Sequence, residues 1–182
     1  EGLEQKVQEK TASIAVQNQR LAALYEVSAL ASDAGSLQAL ANGFVRQIRR
    51  VAGADAVAVR WSDEANERYV LLANDGLPKA MAEQEHCLHT GACHCGQPQE
   101  KARTRVIPIT PTSAVALPHC REAGFETMVT IPVQMQQRVL GEVDLFFRLP
   151  VVLNDELREL LEAMTRHLAS AMEGLRATAL ER

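Results

Sequence analysis

Apolar residues near the front of the chain recur in alternating four- and three-residue steps at Leu3, Val7, Ile14, Leu21, Leu24 and Ala31, with Lys10, Gln17 and Ser28 filling the remaining seam positions. No Pro or Gly interrupts the run from Leu3 to Ala31. This is a heptad with polar gaps, and a helix of that length reaches about 45 Å. It is expected to pair with a copy of itself, the polar seam positions weakening the zipper while fixing its register. A second heptad runs through Leu157, Leu161, Met164, Leu168, Ala171, Leu175, Thr178 and Arg182. Asn154 or Asp155 is placed to cap its start by accepting from the first free backbone N–H groups. The last residues carry no Gly or Pro stop and Glu1 already lies inside the helical pattern, so the chain reads as a middle piece of a longer protein.

Between these helices the period changes. Leu37, Leu40, Ala41, Phe44, Val45, Ile48 and Val51 form a helical stripe that Gly53 ends. Residues 55–61 alternate as a strand, 63–66 turn, and 68–73 return, which predicts a hairpin. A second hairpin is predicted from 125–135 and 139–147 around Gln136-Gln137-Arg138, and Pro132 places its first strand at an edge or a bulge. The fold class is therefore α+β: an antiparallel sheet with helices on one side, flanked by long N- and C-terminal coiled-coil helices. The divisions are 1–32 for the first helix, 33–152 for the domain and 153–182 for the last helix. Residues 74–123 are left as an irregular insertion, and a loop that long normally has a function.

Composition narrows the class. Hydrophobic residues make up 47% and charged residues 23% of the 182, ordinary for a folded domain. The net charge is −4 and no basic stripe stands out, so no nucleic-acid partner is expected. No window has the 18 apolar residues of a membrane span.

The insertion carries the candidate chemistry. Cys87, Cys93, Cys95 and Cys120 are all the cysteines of the chain, and His86, His89, His94 and His119 share the segment. Three thiols within nine residues can converge from one loop while Cys120 closes a fourth corner. Soft sulfur ligands suit an iron–sulfur cluster or a tetrahedral zinc. The Cys-x-Cys step matches neither the zinc knuckle nor the ferredoxin spacing, so the metal stays open, as do four free thiols or a disulfide. The histidines are candidates to replace a ligand, or to stand behind one as hydrogen-bond donors. Cys120 with His119 is set aside as a nucleophilic pair, because adjacent residues rarely face each other. Arg103 and Arg105 read as solvated, His167 as an ordinary helix residue, and Trp61, Phe146 and Phe147 as core. Gly-rich phosphate loops, Gly-x-Ser-x-Gly and His-Glu-x-x-His are absent.

The segments LAALYEVSALA, CLHTGACHCG, CREAGFETMVTIPV and VLGEVDLFF, with an exit helix ending in LER, resemble a GAF domain, and within that class the central module of NarX-type nitrate/nitrite sensor histidine kinases. The resemblance implies a cytoplasmic module of an inner-membrane protein, homodimeric through its N- and C-terminal helices. It would join an upstream HAMP-type relay to a downstream kinase core, and would itself neither bind ATP nor transfer phosphate. Nitrate in that family binds a periplasmic domain, so no nitrate site is expected here. By analogy with sensor kinases whose cysteine-bearing GAF or PAS domains hold oxygen-sensitive clusters, Cys87, Cys93, Cys95 and Cys120 are the expected ligands of an iron–sulfur cluster, with zinc as the alternative. Two other readings stay open: a dimerising spacer with zinc or no metal, and a small-ligand receptor for a cyclic nucleotide, haem or bilin. The Asn-Lys-x-x-x-Phe-x-x-x-Asp-Glu signature of the receptor class is absent.

Overall fold

The computed structural model describes residues 2–109 and 118–181, with side chains described up to residue 175 and from His119 in the later block. Its elements are α1 (Gly2–Asp33), α2 (Leu37–Ala52), β1 (Ala56–Ser62), β2 (Arg68–Asp75), α3 (Lys79–Gln84), β3 (Cys87–His89), β4 (Arg105–Pro108), α4 (Pro118–Glu122), β5 (Thr127–Met135), β6 (Arg138–Phe147) and α5 (Asp155–Glu181). The helix boundaries follow local chemistry. The Ser36 hydroxyl accepts from the Ala39 N–H at the start of α2, and Gly53 closes it at φ 67°, a left-handed geometry that glycine adopts without strain. Asn154 Oδ1 accepts from the Leu157 N–H at 2.8 Å, so Asn154 is the cap of α5.

Six strands pair antiparallel in the order β3-β2-β1-β6-β5-β4. Alternation sorts their side chains onto two faces. Val57, Val59, Val129, Ile131, Val143 and Leu145 face α1, α2 and α5 and pack with Val27, Leu40, Phe44, Ile48, Leu161, Met164 and Leu168. Ala56, Ala58, Met128 and Phe146 face the other way and pack beneath Met81, Cys95, Ile107 and Cys120. The sheet therefore separates two cores, one under helices and one under the Cys-bearing segment.

Two expectations change and two hold with an addition. The insertion is not irregular throughout, because it adds β3 to one edge of the sheet and β4 to the other. These strands span three and four residues, too few for a periodic pattern to register. Strand β5 is internal, yet β4 pairs only with 127–130, so at Pro132 that side of β5 is open, next to a bulge at Val133/Gln134. The long helices α1, α2 and α5 cover one face as expected, and the opposite face is buried as well. Finally, the α5 seam is spent within the domain: Leu161, Met164 and Leu168 are buried in its own core and Leu157, Ala171 and Leu175 pack against it. Thr178 and Arg182 lie outside the described side chains. The α1 seam behaves differently, with Leu3, Val7, Ile14 and Leu21 exposed and Leu24 and Ala31 partly buried against the core, while the buried residues of the helix, Ala23 and Val27, lie off the seam. No described helix is long and apolar enough to cross a membrane.

Candidate functional site

On the sheet face away from the helices, the alternation that buries Val59, Val143 and Leu145 on one side turns Arg60, Glu142 and Asp144 to the other. All three are buried. Arg60 donates through Nε to Asp144 Oδ2 at 2.7 Å and through Nη2 to Glu85 Oε2 at 3.0 Å, and its Nη1 donates to the Glu85 carbonyl at 2.8 Å. Burial alone would lower its pKa, but the charges of Asp144, Cys95 and Glu85 outweigh that and keep the guanidinium charged. Glu85, just past α3, also meets His119 Nδ1 at 3.3 Å, which ties α3 to α4.

The segment after β3 lies over this charged floor. Gly91 N–H donates to the Gly96 carbonyl, closing a tight loop that holds Cys93 and Cys95. Gly96 sits at φ 75°, and an added Cβ would lie 3.1 Å from the Tyr69 ring, so this turn needs glycine. The N–H groups of Gly96 and Gln97 donate to Glu142 Oε2 at 2.7 Å and Oε1 at 3.2 Å, anchoring the loop to β6. Gln97 then bridges Thr130 and the backbone of Arg103, and its carbonyl accepts from Tyr69 at 2.6 Å.

Three of the four cysteines meet here. Cys95 is fully buried with its Sγ 3.1 Å from Met128 Sδ, Cys120 is buried in the same apolar cluster, and half-buried Cys93 packs against it. The Cys93 and Cys95 thiols hydrogen-bond each other. That bond lowers Cys93 to about 7 against the opposing effect of burial, and it raises Cys95 well above the usual thiol range, with burial adding to the rise. Burial likewise pushes Cys120 up. Glu142 is also raised, first by burial and then by the neighbouring Asp144 charge.

Cys87 stands apart. On β3 it lies opposite Val70, which lies opposite Trp61 on the helix face, whereas its neighbour Leu88 lies opposite Tyr69 on the thiol face. A tetrahedral zinc with 2.3 Å bonds holds its sulfurs about 3.8 Å apart. A centre on all four sulfurs does not fit this arrangement, because the sheet separates Cys87 from the other three. Among the described residues, the metal-capable group whose ligand atoms all lie within 4.8 Å of one another is Cys95, Glu142 and Asp144. None of the histidines joins it: His86 bonds the Glu83 carbonyl, His119 meets Glu85, and burial with Arg105 nearby lowers His94. Arg105 Nη2 donates to the His94 carbonyl at 2.6 Å and so braces the loop.

Sequence reasoning passed over Arg60, Glu85, Glu142 and Asp144. The available signal was the placing of Arg60 in VAVRW and of Glu142 and Asp144 in LGEVDLFF, charges alternating with apolar residues in strands of the two predicted hairpins. Such alternation ordinarily marks a solvated face. Here the Cys segment covers it.

Comparison with known proteins follows the fold. The profile of the GAF domain family matches residues 36–172. A comparison with curated protein sequences gives no match. Among solved structures, the GAF domain of a phosphoenolpyruvate-protein phosphotransferase from Coxiella burnetii superposes with a TM-score of 0.75 at 21% identity, covering 88% of this chain and 96% of that one. A domain of a two-component sensor histidine kinase protein from Sinorhizobium meliloti gives 0.67 at 14% identity, covering 82% and 99%. Free methionine-R-sulfoxide reductase from Neisseria meningitidis, in complex with its substrate, gives 0.71 at 15% identity, covering 85% and 89%. At these identities the likeness is one of fold.

Proposed function

Because the chain belongs to the GAF domain family, we propose that it is the sensory and signal-transmitting module of a NarX-type two-component sensor histidine kinase, with the thiol layer as its input. The observation that carries this reading is the division of labour along β6. Glu142 holds the Cys-bearing loop and Asp144 holds Arg60 on one face, while Val143 and Leu145 pack against the helices on the other. A chemical change at the thiols is then felt by α5 through one strand. Coupling of this kind requires the modified site to favour one of two arrangements energetically. The fold shared with a sensor-kinase domain supports the setting, as does the exposed α1 seam, which fits pairing with a second copy. In the full protein, α1 receives the upstream HAMP-type signal and α5 delivers it to the kinase core on the cytoplasmic side of the inner membrane.

The test uses the full-length kinase with Cys93, Cys95 and Cys120 changed together to Ser. Autophosphorylation is expected to lose its difference between air and anoxia. If the wild-type and the triple variant behave alike in both atmospheres, the thiols are not the input. Metal analysis after anaerobic purification addresses the cluster: iron with acid-labile sulfide would mean that β3 leaves its pairing to present Cys87.

A second reading is a thiol-dependent reductase. It is supported by the fold of the Neisseria enzyme and by a half-buried thiol near 7 beside another thiol. Two thiols would become a disulfide while a sulfoxide is reduced to a thioether and its oxygen leaves as water. Incubation with free methionine-R-sulfoxide and dithiothreitol decides it, since an absence of methionine removes this reading.

A further inference from the structure

The charged floor beneath the thiols is out of balance. Glu85, Glu142 and Asp144 are three carboxyl groups, each at most 3% exposed, faced by the guanidinium of Arg60 and, at Glu85, by the His119 ring. Buried charge without a partner is costly, so such a cluster takes up protons or a cation. Asp144 is 0% exposed, and its Oδ1 is buried with no hydrogen-bond donor, whereas Oδ2 is held by Arg60. A carboxylate oxygen of Asp144, one of Glu142 and the sulfur of Cys95 all lie within 4.8 Å of one another.

From this geometry we propose that Cys95, Glu142 and Asp144 form a buried site for one divalent cation of the borderline class, zinc foremost. One sulfur with two carboxylate oxygens is a donor set that zinc accepts and that magnesium or calcium does not favour. Each ligand is already oriented from behind. Arg60 fixes Asp144, the N–H groups of Gly96 and Gln97 fix Glu142, and Met128 Sδ lies against the Cys95 sulfur as a further soft contact. The ion would offset two of the surplus negative charges and pin the loop to β6. This ligand set is distinct from a four-cysteine centre, since Cys87, Cys93 and Cys120 are not part of it. It also stands independently of the signalling reading, because it concerns what the site binds and not what the kinase does with it.

The test titrates the metal-free chain with Co²⁺ under anoxia, reading thiolate-to-cobalt charge transfer, and with Zn²⁺ by calorimetry. One ion per chain is expected, with a charge-transfer band that Cys95→Ser abolishes. Zinc affinity should fall by roughly 100-fold in Cys95→Ser and Glu142→Gln, while Cys87→Ser stays within about two-fold of wild type. Asp144→Asn is a third variant, read only where circular dichroism shows it folded. Absence of wild-type binding overturns the proposal. Binding that survives Cys95→Ser and Glu142→Gln overturns it too, as does binding that needs Cys87 as much as Cys95. An infrared band of a protonated carboxylic acid that persists at saturating zinc and vanishes in Glu142→Gln would show that a proton, not the ion, fills the gap, and would equally overturn it.

Discussion

Glu142 writes its protonation into the stability of the chain. Its folded-state pKa lies above the unfolded value near 4.3, so the metal-free folded state keeps a proton that the unfolded chain releases. Its contribution is full below about pH 4.3 and is lost as pH rises toward the folded value. The unfolding free energy of the metal-free chain is expected to decline as pH rises above about 4.3, and Glu142→Gln should flatten that decline whatever it does to stability at low pH. Equal slopes in urea titrations of the two chains would contradict this. Cys93 supplies the kinetic counterpart. Alkylation by iodoacetamide should rise through about pH 7, and Cys95→Ala, which removes the bond to its thiolate, should move the midpoint toward the ordinary thiol value near 8.5. A third prediction concerns the β5–β6 turn, where Gln136 and Gln137 adopt φ of 53° and 66°. Gln137→Gly should stabilise by about 1 kcal/mol, read as a rise of about 3 °C in Tm. The gathering of Cys93, Cys95 and Cys120 was legible in their spacing. Cys87 was not separable from them, because its place depends on which face a three-residue strand presents.

At the scale of elements, periodicity served well where a pattern ran long enough. Both long helices, the α2 stripe and the two central hairpins were readable, and their ends came out within a few residues because Ser36, Gly53 and Asn154 announce them. Asn154→Ala should cost about 1 kcal/mol by freeing the Leu157 N–H, measured as a shift in the urea midpoint without change in slope. Strands β3 and β4 escaped because their pairing is with distant segments. The two heptads, alike on paper, have different fates. The α5 seam is consumed by the domain core, whereas residues 2–22 of α1 are exposed throughout. Arg20 forms an exposed pair with Glu159 at 3.8 Å, which contributes little. Removing residues 2–22 is therefore expected to leave Tm nearly unchanged while converting a dimer to a monomer by sedimentation. A large drop in Tm would show that this stretch supports the domain itself.

In the whole molecule the sheet is a partition with chemistry on one side and helices on the other. Gly141 shows how closely neighbouring strands are fitted: a Cβ there would collide with the Arg60 carbonyl oxygen on β1. The sequence pattern distinguished the two faces of each strand, but it could not tell that both are covered, since the cover comes from residues 74–123 folding back over charged positions.

That same segment ends both rims of the sheet, with three residues against β2 and four against β5. Bare strand rims invite pairing between molecules. Loosening the thiol-bearing stretch, whether by reagent, by loss of a bound ion or by deletion, would thus unmask two adhesive margins at once, and the first visible sign of damage would be self-association and not unfolding.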